Sequence, residues 1–110
     1  MELKESKQGN VLILELVGRL DTSNYAEVEK KIVALLDAGE KYCLIDCSKL
    51  DYISSSGLRV LLVTLKKLGQ SNGKLVLCCL NDSIAEIFEI AGFNNIFTVE
   101  GSLEAGLASF

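Results

Sequence analysis

The chain has 110 residues, a formal net charge of −4 and a pI near 4.8. About half of the residues are apolar, enough for one small domain with a single core that needs neither disulfides nor a metal. The negative charge argues against nucleic acid as a partner and disfavours an anionic membrane surface. Histidine is absent, which removes the usual general base and the commonest zinc ligand, so few enzymatic mechanisms remain.

The organisation of the chain is simple. No linker, repeat or low-complexity segment divides it, which predicts one domain over residues 1–110. No apolar run approaches the length of a membrane span, and the first residues lack the basic and then apolar layout of a signal peptide. We therefore expect a cytoplasmic protein without membrane insertion.

The first half of the chain predicts a hairpin followed by a helix. Residues 3–6 and 11–17 flank the turn signal Gln8-Gly9-Asn10, which is typical of two antiparallel strands. Residues 18–21 are then predicted as an exit loop. A helix is predicted from Ser23 or Asn24 to Ala38, with Asn24 and Glu27 as a capping box and Gly39 at its end.

The second half predicts strands that alternate with helices. Residues 42–46 form a short strand, a polar segment follows over 47–56, and a second helix runs to about residue 68. A strand is predicted over 74–80, a third helix from the capping box Ser83 and Glu86 to Gly92, a short strand over 96–99, and a brief C-terminal helix marked by Leu103 and Leu107. The order β-β-α-β-α-β-α-β-α predicts an α/β fold, with helices packed on a mixed, mostly parallel sheet of four or five strands.

The four cysteines have no spacing that is typical of a metal site. Cys43 and Cys47 are four residues apart, and Cys78 and Cys79 are adjacent, so that strand neighbours would point to opposite faces. We interpret all four as buried, reduced thiols that pack as small apolar side chains, and we expect no metal site.

A serine-rich turn opens the second helix. Ser54 is predicted as the N-cap, which places Ser55 and Ser56 in the first turn, where free amides and the helix dipole favour a negative group. An exposed serine at this position is well placed to receive a phosphate. The alternative is that the three serines only cap the helix and form a polar turn.

Loops that follow strand ends carry function in sheets of this kind. Two of them are polar here, over residues 18–23 and 47–56. If the second and third strands are neighbours, both loops open on the same edge of the sheet, and Asp21 and Ser56 share one surface. Asp21 has an alternative role, which is to accept amide hydrogen bonds at the entry to the first helix.

Three segments together resemble bacterial anti-sigma-factor antagonists that consist of a single STAS domain: Gly18-Arg19-Leu20-Asp21, Leu44-Ile45-Asp46 and residues 51–58. The order of elements and Ala91-Gly92-Phe93 extend this resemblance over the whole chain. In that family the regulatory serine directly precedes the glycine, which corresponds to Ser56 here, with Ser55 as the second choice. The usual form of this segment in the family is Asp-Ser-Ser-Gly-Leu, and this sequence has Ser54 where the family has the aspartate. Serine can also cap a helix.

The resemblance implies partner switching in the regulation of transcription. The unmodified antagonist binds an anti-sigma factor, usually a serine kinase with a histidine-kinase-like ATP fold, and this frees a sigma factor. Phosphorylation of the serine ends binding, and a metal-dependent serine phosphatase restores it. ATP and metal belong to those partners, so we expect no enzyme activity and no cofactor. The expected partner-binding residues are Asp21, Ser54, Ser55, Ser56 and Gly57.

Other functions are also compatible with parts of the sequence. The same fold would serve a phosphorylation-independent adaptor, such as the cytoplasmic subunit of a lipid-transport ATPase or a scaffold in a sensory complex. A serine hydrolase is disfavoured, because the chain has neither a Gly-x-Ser-x-Gly motif nor a histidine. At Gly57 the missing side chain would let a kinase loop approach closely, and we expect Gly57→Ala to cost little stability within a helix.

Overall fold

Five strands and four α-helices make up the computed structural model, which describes residues 1–110. The strands are β1 (Glu2–Gln8), β2 (Val11–Leu20), β3 (Tyr42–Ile53), β4 (Lys74–Cys78) and β5 (Thr98–Glu100). The helices are α1 (Tyr25–Asp37), α2 (Ser55–Gln70), α3 (Asp82–Ile90) and α4 (Leu103–Ala108), and a short 3₁₀ helix covers Phe93–Asn95. The strands form one sheet in the order β1-β2-β3-β4-β5, in which β1 is antiparallel to β2 and the other pairs are parallel. The predicted α/β fold and element order are confirmed.

The two faces of the sheet carry cores of different size. The larger cluster has 19 buried residues and combines side chains of β2, β3 and β4 with those of α1, α2 and α3. The smaller cluster consists of Val11, Leu44, Val76 and Cys78, and Leu107 of α4 packs against it. Because both faces of β3 and β4 are covered, their apolar runs are nearly continuous, as is typical of central parallel strands.

The strands β2 and β3 both run further than the sequence predicts. Residues 18–21 are predicted as an exit loop, but β2 continues to Leu20. Residues 47–53 are predicted as part of a polar segment, but β3 continues to Ile53, which pairs with Leu20. The pairing shifts register twice, and each shift accommodates one extra residue of β3. Gly18 has a φ of +102° at the second shift. Such irregularities let a mostly polar segment keep pairing while Leu50 and Ile53 stay buried.

The two predicted capping boxes are wrong. Asn24 does precede α1, but its side chain accepts a hydrogen bond from the amide of Asp21 and donates one to the carbonyl of Arg19. The cap of α3 is Asn81, whose Oδ1 accepts from the amide of Ile84 at 2.8 Å. Because β4 ends at residue 78, two residues before the predicted end, α3 begins earlier and Ser83 lies inside its first turn.

The other element boundaries follow the sequence closely. The β1–β2 hairpin turns at Gly9, and Gly39 and Gly92 follow α1 and α3 with the positive φ values of helix-ending glycines. The last strand lies two residues later than its apolar residues suggest, and Ile96 is exposed. No helix of the structure combines the length and the apolar character that crossing a bilayer requires.

Candidate phosphorylation and partner-binding site

The carboxyl ends of β2 and β3 bring two polar segments together. Leu20 and Ile53 are register partners, and the carbonyl of Leu20 accepts a hydrogen bond of 2.9 Å from the amide of Ser54. Asp21 and Ser54 therefore follow directly on neighbouring strand ends. The predicted placement of both segments at one edge of the sheet is confirmed. We call this surface the serine edge and define it as Asp21, Ser23, Ser54, Ser55 and Ser56.

The serine turn begins α2 as predicted. Ser54 is the N-cap, and its hydroxyl oxygen accepts a hydrogen bond of 3.2 Å from the amide of Gly57. Its carbonyl accepts the amide of Leu58 at 2.9 Å, which starts the helical pattern. The first-turn amides of Ser55 and Ser56 have no helical carbonyl to bond, and they lie at the positive end of the helix dipole. This arrangement favours a negative group at the start of α2.

The remaining two serines differ in exposure. Ser55 is exposed and Ser56 is half-buried, so the expectation of an exposed Ser56 is only partly met. Ser54 is the only one of the three whose hydroxyl is engaged in a hydrogen bond. The hydroxyls of Ser55 and Ser56 are therefore free of internal partners.

Gly57 is buried where α2 contacts the ends of the two strands. A Cβ atom at this position would lie 2.6 Å from Cγ1 of Ile53 and 2.9 Å from the backbone oxygen of Leu20. Real Cβ contacts are longer, and the carbonyl of Leu20 cannot move freely because it bonds to the amide of Ser54. The expectation that Gly57→Ala costs little stability is therefore wrong, because the position requires glycine for packing.

The carboxylate of Asp21 organises the loop between β2 and α1. It accepts hydrogen bonds from the hydroxyl and the amide of Ser23, at 2.6 and 2.9 Å. These bonds, together with Arg19 at 3.8 Å, lower the pKa of Asp21 below its ordinary value, so the carboxylate is ionised at neutral pH. The side chain of Asp21 therefore makes its hydrogen bonds within the loop. Its backbone carbonyl accepts a hydrogen bond of 2.9 Å from the amide of Tyr25, the first residue of α1.

Sequence reasoning missed an aromatic contact beside the serine edge. The guanidinium of Arg19 lies 4.3 Å from the ring centroid of Tyr52, and 41% of Tyr52 is exposed. The two residues are register partners in the extended parts of β2 and β3. Only the register of the two strands could have revealed this pair. Further along α2, Arg59 lies 3.8 Å from Glu29 of α1, so this guanidinium is engaged away from the serines.

Three of the four cysteines are poorly suited to act as nucleophiles. Cys43, Cys47 and Cys78 are buried as predicted, whereas Cys79 is only half-buried. Burial raises the pKa of Cys43 and of Cys47 to about 12 and also raises the pKa of Cys78. A thiol with such a pKa stays protonated at neutral pH and is a poor nucleophile.

Comparisons with known proteins agree with this fold. A family model for the STAS domain matches residues 3–106. A relative from Bordetella bronchiseptica, a candidate anti-sigma factor antagonist called BtrV, is 44% identical over 110 residues, which cover 100% of this chain and 95% of the relative. The chain belongs to the STAS domain family. Within that family it belongs with the anti-sigma factor antagonists, a group of regulatory proteins, and the resemblance seen in the sequence is confirmed.

Solved structures show the same fold at low sequence identity. A candidate anti-sigma factor antagonist from Thermotoga maritima superposes with a TM-score of 0.94 at 18% identity, covering 97% of this chain and 92% of the other. The Bacillus cell fate determinant SpoIIAA in its phosphorylated form gives a TM-score of 0.78 at 16% identity, covering 98% of each chain. The sheet and helices described above are therefore those of the STAS fold.

Proposed function

We propose that this antagonist acts as a partner switch whose covalent signal is a phosphate on Ser56. In the unphosphorylated state the serine edge binds an anti-sigma factor that is also a serine kinase, and the sigma factor is freed. Phosphorylation of Ser56 ends the binding, and a serine phosphatase restores it. The observation that carries this proposal is the free hydroxyl of Ser56 in the first turn of α2, on the same edge as Asp21.

The local electrostatics explain how a phosphate would act there. A phosphoserine carries about −1.5 to −2 charges near neutral pH. The unpaired amides at the start of α2 stabilise that charge in the free protein. The chain has only two arginines, and both already have partners: Arg19 contacts Asp21 and Tyr52, and Arg59 contacts Glu29. When a partner covers the serine edge, the phosphate loses water and gains few cationic contacts from this chain. The desolvation of the phosphate therefore weakens the complex.

The chain is a substrate and a ligand in this scheme. Its partner supplies ATP and the residues that transfer the phosphoryl group, and the phosphatase supplies its own metal. The oxygen of Ser56 bonds to the γ-phosphorus of ATP, ADP leaves, and the hydroxyl proton passes to the kinase. The adaptor alternative shares the fold and the serine edge, and it differs in having no phosphorylation step.

Phosphopeptide mapping tests the acceptor directly. The protein is incubated with ATP and each candidate anti-sigma factor kinase, alongside Ser56→Ala and Ser55→Ala as a matched pair. We expect one phosphate per chain on Ser56, its loss in Ser56→Ala, and its retention in Ser55→Ala. We also expect Asp21→Ala to weaken kinase binding in both phosphorylation states. A kinase that binds the protein but leaves Ser56 unmodified would contradict the proposal and favour the adaptor function.

A further inference from the structure

A carboxylate and two thiols meet on the face of the sheet that α4 covers. Asp46 of β3 and Cys78 of β4 are register partners, and Cys79 follows at the end of β4. One ligand atom from each of the three residues lies within 4.8 Å of the others. The Sγ of Cys78 is 4.0 Å from Oδ1 of Asp46. This cluster belongs to the smaller apolar face and contains no residue of the serine edge.

The backbone of Cys79 makes this cluster possible. In an extended strand, adjacent side chains point to opposite faces, so Cys78 and Cys79 would be separated by the sheet. Cys79 instead has a φ of +64°, in the left-handed region that residues other than glycine rarely adopt. Its amide donates a hydrogen bond of 3.1 Å to the carbonyl of Glu100, which holds this turn against β5. The departure from extended geometry brings the two adjacent thiols together with Asp46.

Asp46 has no cationic partner within the protein. It is 7% exposed, and its Oδ1 accepts hydrogen bonds from the amide of Ser48 at 2.9 Å and from the thiol of Cys78 at 4.0 Å. None of the ion pairs in the structure includes it. A cation bound beside this carboxylate would supply a counter-charge that the protein itself does not provide.

We propose that Asp46, Cys78 and Cys79 form a binding site for a thiophilic divalent cation of the Zn²⁺ class. Two thiolates and a carboxylate match the ligands that Zn²⁺ accepts, and water completes the tetrahedron on the side where Cys79 is half-exposed. With metal–ligand bonds of about 2.0–2.3 Å, the ligand atoms of a tetrahedral site lie roughly 3.5–3.8 Å apart. The three ligand atoms, now within 4.8 Å of one another, would therefore move closer together when the cation binds. Binding displaces both thiol protons to solvent. Sequence spacing did not indicate this cluster, because Asp46 and Cys78 lie in different strands and are 32 residues apart in the chain.

Cobalt(II) is a suitable probe because its thiolate complexes absorb light, whereas those of Zn²⁺ do not. The reduced full-length protein is titrated with Co²⁺, and Zn²⁺ is then added as a competitor. We expect one Co²⁺ per chain, a thiolate-to-cobalt charge-transfer band, and loss of that band as Zn²⁺ replaces Co²⁺. Cys79→Ser and Asp46→Asn should each weaken binding at least tenfold. Cys43→Ala is the matched control, because Cys43 is buried on the opposite face.

Thiol protection in the unaltered protein gives a test that does not depend on the variants folding. Alkylation of Cys79, mapped by mass spectrometry, should slow at least tenfold when one equivalent of Zn²⁺ is present. The absence of a charge-transfer band would overturn the proposal. Equal affinity in Cys79→Ser and the unaltered protein, or an unchanged alkylation rate, would also overturn it. None of these readouts depends on phosphorylation of Ser56, so this proposal and the proposed function fail separately.

Discussion

Gly57 lies where the serine turn packs against the sheet, and the structure shows why this position has no side chain. From the sequence, a glycine after an acceptor serine suggests room for a kinase loop. The structure shows that α2 begins directly against Leu20 and Ile53, with no space for a Cβ. The same close approach fixes the position of Ser56, one residue earlier, relative to Asp21. Packing at Gly57 thus determines the geometry of the serine edge.

We predict that Gly57→Ala destabilises the protein by about 1–3 kcal/mol, the usual range for overpacking a filled core. Gly69 is the control, because it lies in the same helix with no atom near the position of its missing Cβ. Gly69→Ala should be neutral or more stable by up to about 1 kcal/mol, since alanine is the better helix former. Urea denaturation of both variants measures the difference. Equal stability of the two variants would show that the contacts at Gly57 are not restrictive.

Asp21 should make stability depend on pH. Its pKa is lower in the folded state than in the unfolded chain, so its contribution is fully present above the unfolded value of about 4. That contribution is lost as the pH falls through the folded-state pKa. We expect the free energy of unfolding to fall less on acidification in Asp21→Asn than in the unaltered protein. Denaturant titrations at neutral pH and near pH 3 compare the two. Parallel losses would mean that the bonds from Ser23 do not favour the ionised form.

At the scale of elements, sequence patterns predict which elements exist better than where they end. The leucines of α2 and the apolar runs of β2 and β4 place those elements correctly. Residues 47–53 resemble a loop because Ser48, Lys49 and Asp51 interrupt the apolar residues. They pair as a strand only because β2 provides a partner up to Leu20. The end of a strand is therefore decided by its neighbour, which a local pattern does not contain. The cluster of Asp46, Cys78 and Cys79 was missed for the same reason.

The residue that caps α3 is likewise decided by contacts with another element. Ser83 and Glu86 match a capping box, but Asn81 caps the helix and its amide group also donates to the carbonyls of Leu50 and Asp51 in β3. Asn81 thus ties the start of α3 to the long strand. A local motif cannot report this second set of contacts, and they favour Asn81 over Ser83.

We predict that Asn81→Ala costs about 1–2 kcal/mol, because it removes a helix cap and the bonds to β3. Ser83→Ala should stay within about 0.5 kcal/mol, since Ser83 is an exposed residue of the first turn. Thermal or denaturant unfolding of the pair compares them. If Ser83→Ala lowered the free energy of unfolding as much as Asn81→Ala, Ser83 would contribute to the cap as the sequence predicted.

For the whole molecule, the proposed phosphorylation of Ser56 should change partner binding without changing the stability of the fold. The phosphate would lie at the start of α2, where free amides accommodate negative charge, and the core contacts of α2 point away from it toward the sheet. The large core between the sheet and the helices α1, α2 and α3 then stays intact. We therefore expect the melting temperature to change little on phosphorylation of Ser56, while the surface presented to the partner changes its charge.

Calorimetric titration of the anti-sigma factor kinase with the two forms of the protein tests this account most directly. The two forms are the unmodified chain and the chain phosphorylated on Ser56, each with its melting temperature measured in the same buffer. We predict that phosphorylation weakens binding more than tenfold, or more than about 1.4 kcal/mol, with nearly equal melting temperatures. Equal affinity of the two forms, or lost affinity that is explained by unfolding of the phosphorylated form, would contradict the account.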